Sequence, residues 1–460
     1  MDDHLLVYAR RVLGPLPAGW EMVRVGDLLE RGVLSEVQDG NHGEIHPKST
    51  DYVTEGVPFV MARDLADGRL DLHNCAFLRR EHAESLRTGF SRPGDVLLTH
   101  KATLGRVAIV PDGIDYVMLT PQVTYYRVGD CQRLERSYLR YAFLGPSFRH
   151  QLNADSDQST RKFISITAQR RLWLALPPIS EQRGIARTLG ALDEKIELNR
   201  RMNETLEEMA RAFFKSWFVD FNPVRAKAER RVPAAMDAAT AALFPDGFEE
   251  SEIGAVPRGW RVVGVPEAIE VNPVCSLKKG EVAPYLDMKN MPTSGHLAHE
   301  WEPRPYGSGA RFMNGDTLLA RITPCLENGK TAFVDFIEPG QVGWGSTEYI
   351  VLRPKPPLPE YFAYLLARSD GLRAHAIQSM TGTTGRQRVP VSALDHYRVA
   401  IPPAEVAVAF DLVTKDLIKL SRTNDQESRT LRDLRDVLLS KLLSGELRVR
   451  DAERVVERAV

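Results

Sequence analysis

Three landmarks occur twice along this chain, in the same order. Leu16-Pro17-Ala18-Gly19-Trp20-Glu21-Met22-Val23-Arg24-Val25 is echoed by Val256-Pro257-Arg258-Gly259-Trp260-Arg261-Val262-Val263-Gly264-Val265. Pro93-Gly94-Asp95-Val96-Leu97-Leu98 is echoed by Asn314-Gly315-Asp316-Thr317-Leu318-Leu319, and Leu176-Pro177-Pro178 by Ile401-Pro402-Pro403. The period, about 220–240 residues, is far longer than that of a solenoid repeat. It indicates a duplicated domain, and the 460 residues are enough for two such bodies and their connections.

Each half closes on a proline-free stretch with helical spacing. From residue 180 to 218, steps of four and three pick out Ile185, Leu189, Leu192, Ile196, Asn199, Asn203, Leu206, Ala210, Phe213 and Trp217. In the second half the same steps give Val406, Phe410, Val413, Leu417, Leu420, Asn424, Glu427, Leu431, Leu434 and Leu438, with Gly445 as a stop. About 38 residues of helix extend roughly 57 Å, longer than a small domain is wide. The two helices are therefore expected to pack on each other as a coiled coil. An antiparallel arrangement suits two similar halves related by a pseudo-two-fold axis. Asn203 and Asn424 within the seam would fix register at some cost in stability.

Ahead of each helix, short β-like runs such as Val107-Ala108-Ile109-Val110 and Val123-Thr124-Tyr125-Tyr126 alternate with helical stretches at 137–144 and 360–366. The fold class is read as α+β. The expected divisions are a first domain over 1–179, a first long helix over 180–221 and a connector over 222–255. A second domain over 256–402, a second long helix over 403–447 and a tail over 448–460 complete the chain.

Composition narrows the class of function. The chain is 43% hydrophobic and 26% charged, a globular mixture. Cys75, Cys131, Cys275 and Cys325 are scattered without a CxxC pair, which suits a reducing cytoplasm and argues against a zinc ribbon. Met1-Asp2-Asp3-His4 lacks a basic n-region, so no signal peptide is expected, and no apolar run is long enough to span a membrane. The net charge of −1 requires that any nucleic-acid contact be made by local positive charge or with a partner's help.

Catalytic motifs are missing. Gly329-Lys330-Thr331 resembles the end of a phosphate-binding loop, but Pro324 stands where the first glycine belongs. Asn222-Pro223-Val224 and Asn272-Pro273-Val274 are not the Asn-Pro-Pro-aromatic motif of amino-methyltransferases, and GxSxG and HExxH do not occur. His42-Gly43-Glu44-Ile45-His46 places two imidazoles and a carboxylate at alternate positions, the best metal candidate, but a polar loop between Gly40 and Pro47 whose side chains meet solvent or a ligand is the favoured reading. No metal is assigned.

What remains is polar loop chemistry suited to DNA. Arg and Lys bond guanine edges or phosphate, Asn and Gln adenine, and Ser and Thr either base or phosphate. In the first half the candidates are Asn41, His42, Lys48, Arg63, Lys101, Thr103 and Arg106, with the cluster Gln158, Ser159, Thr160, Arg161 and Lys162. In the second half they are Lys289, Arg321, Thr323, Asn328 and Lys330, with Thr383, Thr384, Arg386 and Gln387. For each half, the expectation is that both loop clusters face one ligand.

Several stretches resemble the specificity subunits of type I restriction–modification systems. They are Leu176-Pro177-Pro178-Ile179-Ser180-Glu181-Gln182-Arg183-Gly184-Ile185-Ala186, Leu192-Asp193-Glu194-Lys195-Ile196-Glu197-Leu198-Asn199 and Phe214-Lys215-Ser216-Trp217-Phe218-Val219-Asp220-Phe221-Asn222-Pro223. The tail Leu442-Leu443-Ser444-Gly445-Glu446-Leu447 and the front loop Asp39-Gly40-Asn41-His42-Gly43-Glu44-Ile45-His46-Pro47-Lys48 also resemble the family. Ala404-Glu405-Val406 departs from the Ser-Glu-Gln pattern of the first half.

The resemblance implies two target recognition domains separated by the two long helices, each reading one part of a bipartite, asymmetric site in double-stranded DNA. It implies a non-catalytic chain that recruits two modification subunits, which use S-adenosylmethionine, and restriction (translocase) subunits, which use ATP and Mg. Two other readings stay open. One is a specificity subunit of a simpler system with a fused methylase–nuclease; the other is a coiled-coil scaffold without sequence preference.

Overall fold

A computed structural model describes residues 3–42, 45–66, 68–156, 163–383 and 385–460; for residues 3–6, 155 and 156 it describes the backbone alone. The chain forms two compact units, residues 1–197 with 428–460, and residues 198–427. Two long helices, Ile179–Phe218 and Ala404–Ser444, contribute to both.

In the first unit, Glu21–Arg24 pairs antiparallel with Trp173–Leu176, so the first landmark lies against the third. A four-stranded antiparallel sheet runs in the order Val107–Ile109, Val96–Thr99, Val123–Val128, Leu34–Asp39. A second sheet runs Tyr52–Val53, Ala76–Leu78, Val57–Val60, Val117–Leu119, Phe90–Ser91, with Val57–Val60 and Val117–Leu119 parallel. The core joins Val96, Leu98, Tyr126, Tyr138 and Phe143 to Ile185, Leu189 and Leu192 of the first long helix and Leu431, Leu438 and Leu442 of the second.

The second unit repeats this plan. Arg261–Gly264 pairs with Arg398–Ile401. Ile269–Val271, Tyr349–Pro354, Thr317–Ala320 and Thr331–Phe333 form the antiparallel sheet. The other sheet is Glu302–Pro305, Val282–Leu286, Gly343–Gly345, Ala310–Phe312, again with one parallel pair, Val282–Leu286 with Gly343–Gly345. Its core is more aromatic: Phe214, Trp217 and Phe218 meet Trp260, Phe362 and Phe410.

The duplication extends to single atoms. Gly94 (φ 86°) and Gly315 (φ 90°) make the turn of the second landmark, and each is followed by a buried aspartate. Asp95 accepts from Arg92 N (2.7 Å) and is clasped by Arg127 at 2.9 and 2.7 Å. Asp316 accepts from Met313 N (2.8 Å) and is clasped by Arg353 at 2.6 and 2.8 Å. A buried carboxylate is tolerated because a two-point guanidinium and a backbone N–H replace its water.

The segment expected as a plain connector is ordered by burial. It holds helices Asn222–Ala228 and Ala238–Ala242 and the hairpin of Phe248–Ser251 with Gly254–Pro257. Val224, Ala226 and Phe244 are buried, and the Phe244 ring meets Trp217 at 5.1 Å. The first long helix stops at Phe218 rather than 221, because Phe221 turns the chain with a left-handed φ of 53°.

The long helices run antiparallel, as their bonds within the second unit show. Asn199 Nδ2 donates to Glu427 Oε2 at 2.7 Å and to Asn424 O at 3.3 Å, while Asn203 Nδ2 donates to Ser421 O at 3.1 Å. Asn424 Nδ2 donates to Asn203 Oδ1 at 2.9 Å. Within the first unit, Arg435 of the second helix donates to Asp193 of the first at 2.9 Å.

Ile185, Leu189, Leu192, Val406, Phe410 and Leu431 are buried as the heptad spacing predicts, and Ile196, Asn203, Val413 and Leu417 partly so. Two seam positions are corrected. Leu420 is 43% exposed and Ser421, at 2%, takes its place; Glu207 is buried beside a half-buried Leu206. After Phe410 the stripe takes a second step of four, to Thr414, and thereafter Ser421 and Ser428 follow one residue behind the expected positions. An α-helix turns 3.6 rather than 3.5 residues, so a strict heptad drifts off the contact line.

Candidate nucleic-acid interface

In the first unit the strand Val96–Thr99 is buried along its whole length and ends at a loop. Gly105 N donates to Thr99 O and Thr99 N to Arg106 O, both at 2.9 Å, so the chain returns at once. The tip, Lys101 to Thr103, is exposed, and Ala102 takes a left-handed φ of 66°. Lys101 bridges to Phe163, and Ile164 N donates to His100 O at 3.0 Å. This fixes the loop beside Phe163 and Ile164. Gln158, Ser159, Thr160, Arg161 and Lys162 themselves lie outside the described residues, as do Gly43, Glu44 and Thr384.

Beneath the tip is a buried polar network. Asp39 Oδ1 accepts from Thr124 Oγ1 at 2.5 Å, and Asp39 Oδ2 lies 3.3 Å from His42 Nε2. Gln169 Nε2 donates to Thr124 Oγ1 (3.0 Å) and Ile164 O (3.2 Å), and Tyr126 OH donates to Gln169 Oε1. His100 is fully buried; its Nδ1 lies 3.0 Å from Ile164 O and its Nε2 3.6 Å from Asp39 Oδ1. Burial lowers the His100 pKa and outweighs the pull of Asp39. The network ties the His42 loop to the Lys101 loop. Its members come from distant parts of the chain, so no local motif announces it.

The second unit repeats the layout with other residues. Ala320 N donates to Lys330 O at 3.1 Å, as Thr99 N does to Arg106 O. Ile322 and Thr381 both bridge to Arg388, and Thr323 N donates to Gln387 O at 3.0 Å, so in this unit the two clusters lie side by side. Arg388 is held by Glu348 at 2.8 and 2.9 Å. Arg321 is half-buried and its Nε has no hydrogen-bond partner.

The candidates divide into two groups. His42, Lys48, Arg63, Lys101, Thr103, Lys289, Asn328, Thr383 and Arg386 are exposed. Others are engaged within the protein, against the expectation that they face a ligand. Asn41 is 1% exposed and donates from Nδ2 to Ile45 O at 2.8 Å, because it closes the turn after Leu34–Asp39. Arg106 donates to the carbonyls of Ala62, Arg63 and Leu65, and Lys330 to those of Met288 and Lys289. Thr323 Oγ1 lies against Met380 Sδ at 3.8 Å, and Gln387 is half-buried. Among the described residues no group of three His, Cys, Asp or Glu side chains is placed to hold a metal ion. No described helix is long and apolar enough to cross a membrane.

Comparison with known proteins points the same way. The family model described as type I restriction modification DNA specificity domain matches residues 17–208. The chain is 22% identical to the type I restriction enzyme MjaIX specificity subunit of Methanocaldococcus jannaschii, over 95% of this chain and 96% of that one. It is 25% identical to the type I restriction enzyme HindI specificity subunit of Haemophilus influenzae, over 64% and 73%. A crystal structure of a type I restriction-modification system S subunit from M. genitalium is similar with a TM-score of 0.48 and 13% identity, covering 94% of this chain and 97% of that one. The chain thus carries a type I restriction modification DNA specificity domain, within a sequence that resembles type I restriction enzyme specificity subunits along nearly its whole length.

Proposed function

We propose that this chain is the DNA-reading subunit of a type I restriction–modification complex, each unit reading one part of a bipartite, asymmetric site. The observation that carries this is the repeated framework with unlike loops. Both units share a four-stranded antiparallel sheet of the same strand order, a second sheet with one parallel pair, the same Asp–Arg clasp and the same return of the chain after a buried strand. The exposed side chains on those loops differ: Lys101 and Thr103 in one unit, Asn328, Thr383 and Arg386 in the other. A constant scaffold with variable polar tips is what reading two different half-sites requires.

In this reading the chain selects DNA and is not itself an enzyme. Two modification subunits supply S-adenosylmethionine-dependent methylation, and restriction subunits supply ATP- and Mg-dependent translocation and cleavage, in the cytoplasm. Methylome sequencing of cells with and without the chain tests it. The expected result is a two-part methylated motif that disappears with the chain. Exchanging residues 256–400 for those of a relative should then change one part only. A motif that is continuous, or that changes in both parts, would sink the proposal.

A further inference from the structure

In both units a cation following a left-handed glycine caps the carbonyl end of one short helical turn. Arg106 follows Gly105 (φ 78°), and its Nη1 donates to Ala62 O (3.3 Å), Arg63 O (3.3 Å) and Leu65 O (3.2 Å). Lys330 follows Gly329 (φ 75°), and its Nζ donates to Met288 O (2.5 Å) and Lys289 O (3.3 Å). The turns are Ala62–Asp64 and Met288–Asn290. Each is also closed at its start by a carboxylate: Met61 N donates to Asp64 Oδ2 at 2.8 Å, and Lys289 N to Asp287 Oδ1 at 3.2 Å. Each turn carries one exposed cation, Arg63 or Lys289.

Carbonyls at the end of a helical turn lack backbone donors and carry partial negative charge, which a nearby cation satisfies. Drawing Arg106 or Lys330 towards a phosphate would take the cation from these carbonyls, leaving Met288 O only its long backbone bond from Met291 N (3.4 Å). Arg63 and Lys289 bear no such load. Among the described residues Arg63 has only the neighbouring Asp64, at 3.5 Å with most of its side chain in solvent, and the Lys289 ammonium makes no hydrogen bond or ion pair.

We infer that Arg106 and Lys330 are positioning residues, and that Arg63 and Lys289, on the turns they hold, make the DNA backbone contacts. This rests on the proposed DNA-reading function. It divides four basic residues into two that hold and two that touch, and it assigns the same division to both halves although Arg and Lys have exchanged places.

The test is a double-mutant cycle on the full-length chain, with binding to a duplex of its own methylated motif followed by anisotropy at several salt concentrations. R63A is expected to lower the salt slope by roughly one. R106A should lower it by the same roughly one, through the lost position of Arg63, and R63A/R106A by no more. R106K should restore the slope, as Lys330 does this work in the other unit. A double variant that lowers the slope by roughly two overturns the inference, because Arg106 would then touch DNA itself; an R106K that behaves like R106A overturns it too, because a lysine would then not hold the turn as Lys330 is argued to do. If R106A fails to fold by its melting curve, K289A, K330A and their combination repeat the cycle in the second unit, with K330R as the rescue. A wild-type chain that binds no DNA at any salt, alone or with its modification subunits, overturns the proposed function as well, whereas additive losses overturn the division of roles alone.

Discussion

His296 makes the second unit sensitive to acid. The residue is 3% exposed, its ring meets Tyr361 at 5.5 Å and Tyr364 at 6.0 Å, and its Nε2 has no hydrogen-bond partner. Burial, helped slightly by His299 and opposed by Asp425, pushes its pKa down to about 4. An unfolded histidine titrates near 6.5, so the fold favours the neutral ring. Its contribution to stability is complete above pH ~6.5 and is lost as pH falls towards about 4. The gap of roughly 2.5 pKa units corresponds to about 3 kcal/mol, a large share of the ~5–15 kcal/mol that holds a domain together. Hydrogen exchange read by mass spectrometry on peptides covering residues 283–300, at pH 7.5, 5.5 and 4.2, should show the loss in the wild type. H296F keeps an aromatic ring among aromatic neighbours and removes the titrating nitrogen, so its stability should fall less over the same window. Other histidines act in both proteins and cancel in the difference. A His296 midpoint above 6 by NMR, or equal pH dependence in wild type and H296F, would refute the reasoning.

Other consequences are as direct. D95A and D316A each leave an arginine without its buried carboxylate; a loss of about 3 kcal/mol is expected, confined by hydrogen exchange to the first and second unit respectively. Leu420→Ser should change stability by less than about 0.5 kcal/mol, whereas Ser421→Leu should cost about 1–3 kcal/mol by overpacking, as denaturant melts would show. Burial raises the Asp193 pKa, but Arg140, Tyr141 and Arg435 outweigh it and hold the pKa below the usual carboxylate range. Its stabilisation is therefore present above the unfolded carboxylate pKa and lost as pH falls through the folded one. D193N should accordingly weaken the first unit at pH 7, and the gap to wild type in urea melts should close in acid.

The duplication, both long helices and their antiparallel sense could be read from the sequence, because repeated landmarks and helical spacing are local patterns. What escaped was set by tertiary packing. The exchange of Leu420 for Ser421 follows from the true pitch of a helix in contact, which letters spaced by sevens do not encode. Asn41 and Arg106 looked like DNA readers because their side chains can bond bases, but the same donors serve backbone carbonyls equally well. The Arg127 and Arg353 clasps could have been found by aligning the two halves residue by residue, since each lies in the strand beside its aspartate.

The division of the chain also sets an order of events during synthesis. Residues 198–427 are contiguous, so the second unit has all its parts once they have left the ribosome. The first unit begins earlier but closes later. Its core includes Leu431, Leu438, Leu439, Leu442, Ala452 and Val456, which are made only after the whole of the second unit. Until they arrive, the apolar face formed by Ile185, Leu189 and Leu192 lacks its covering, and such surfaces aggregate or recruit chaperones. A chain cut after Glu427 would therefore retain a complete second unit and an open first one, although the lost segment follows both in the sequence.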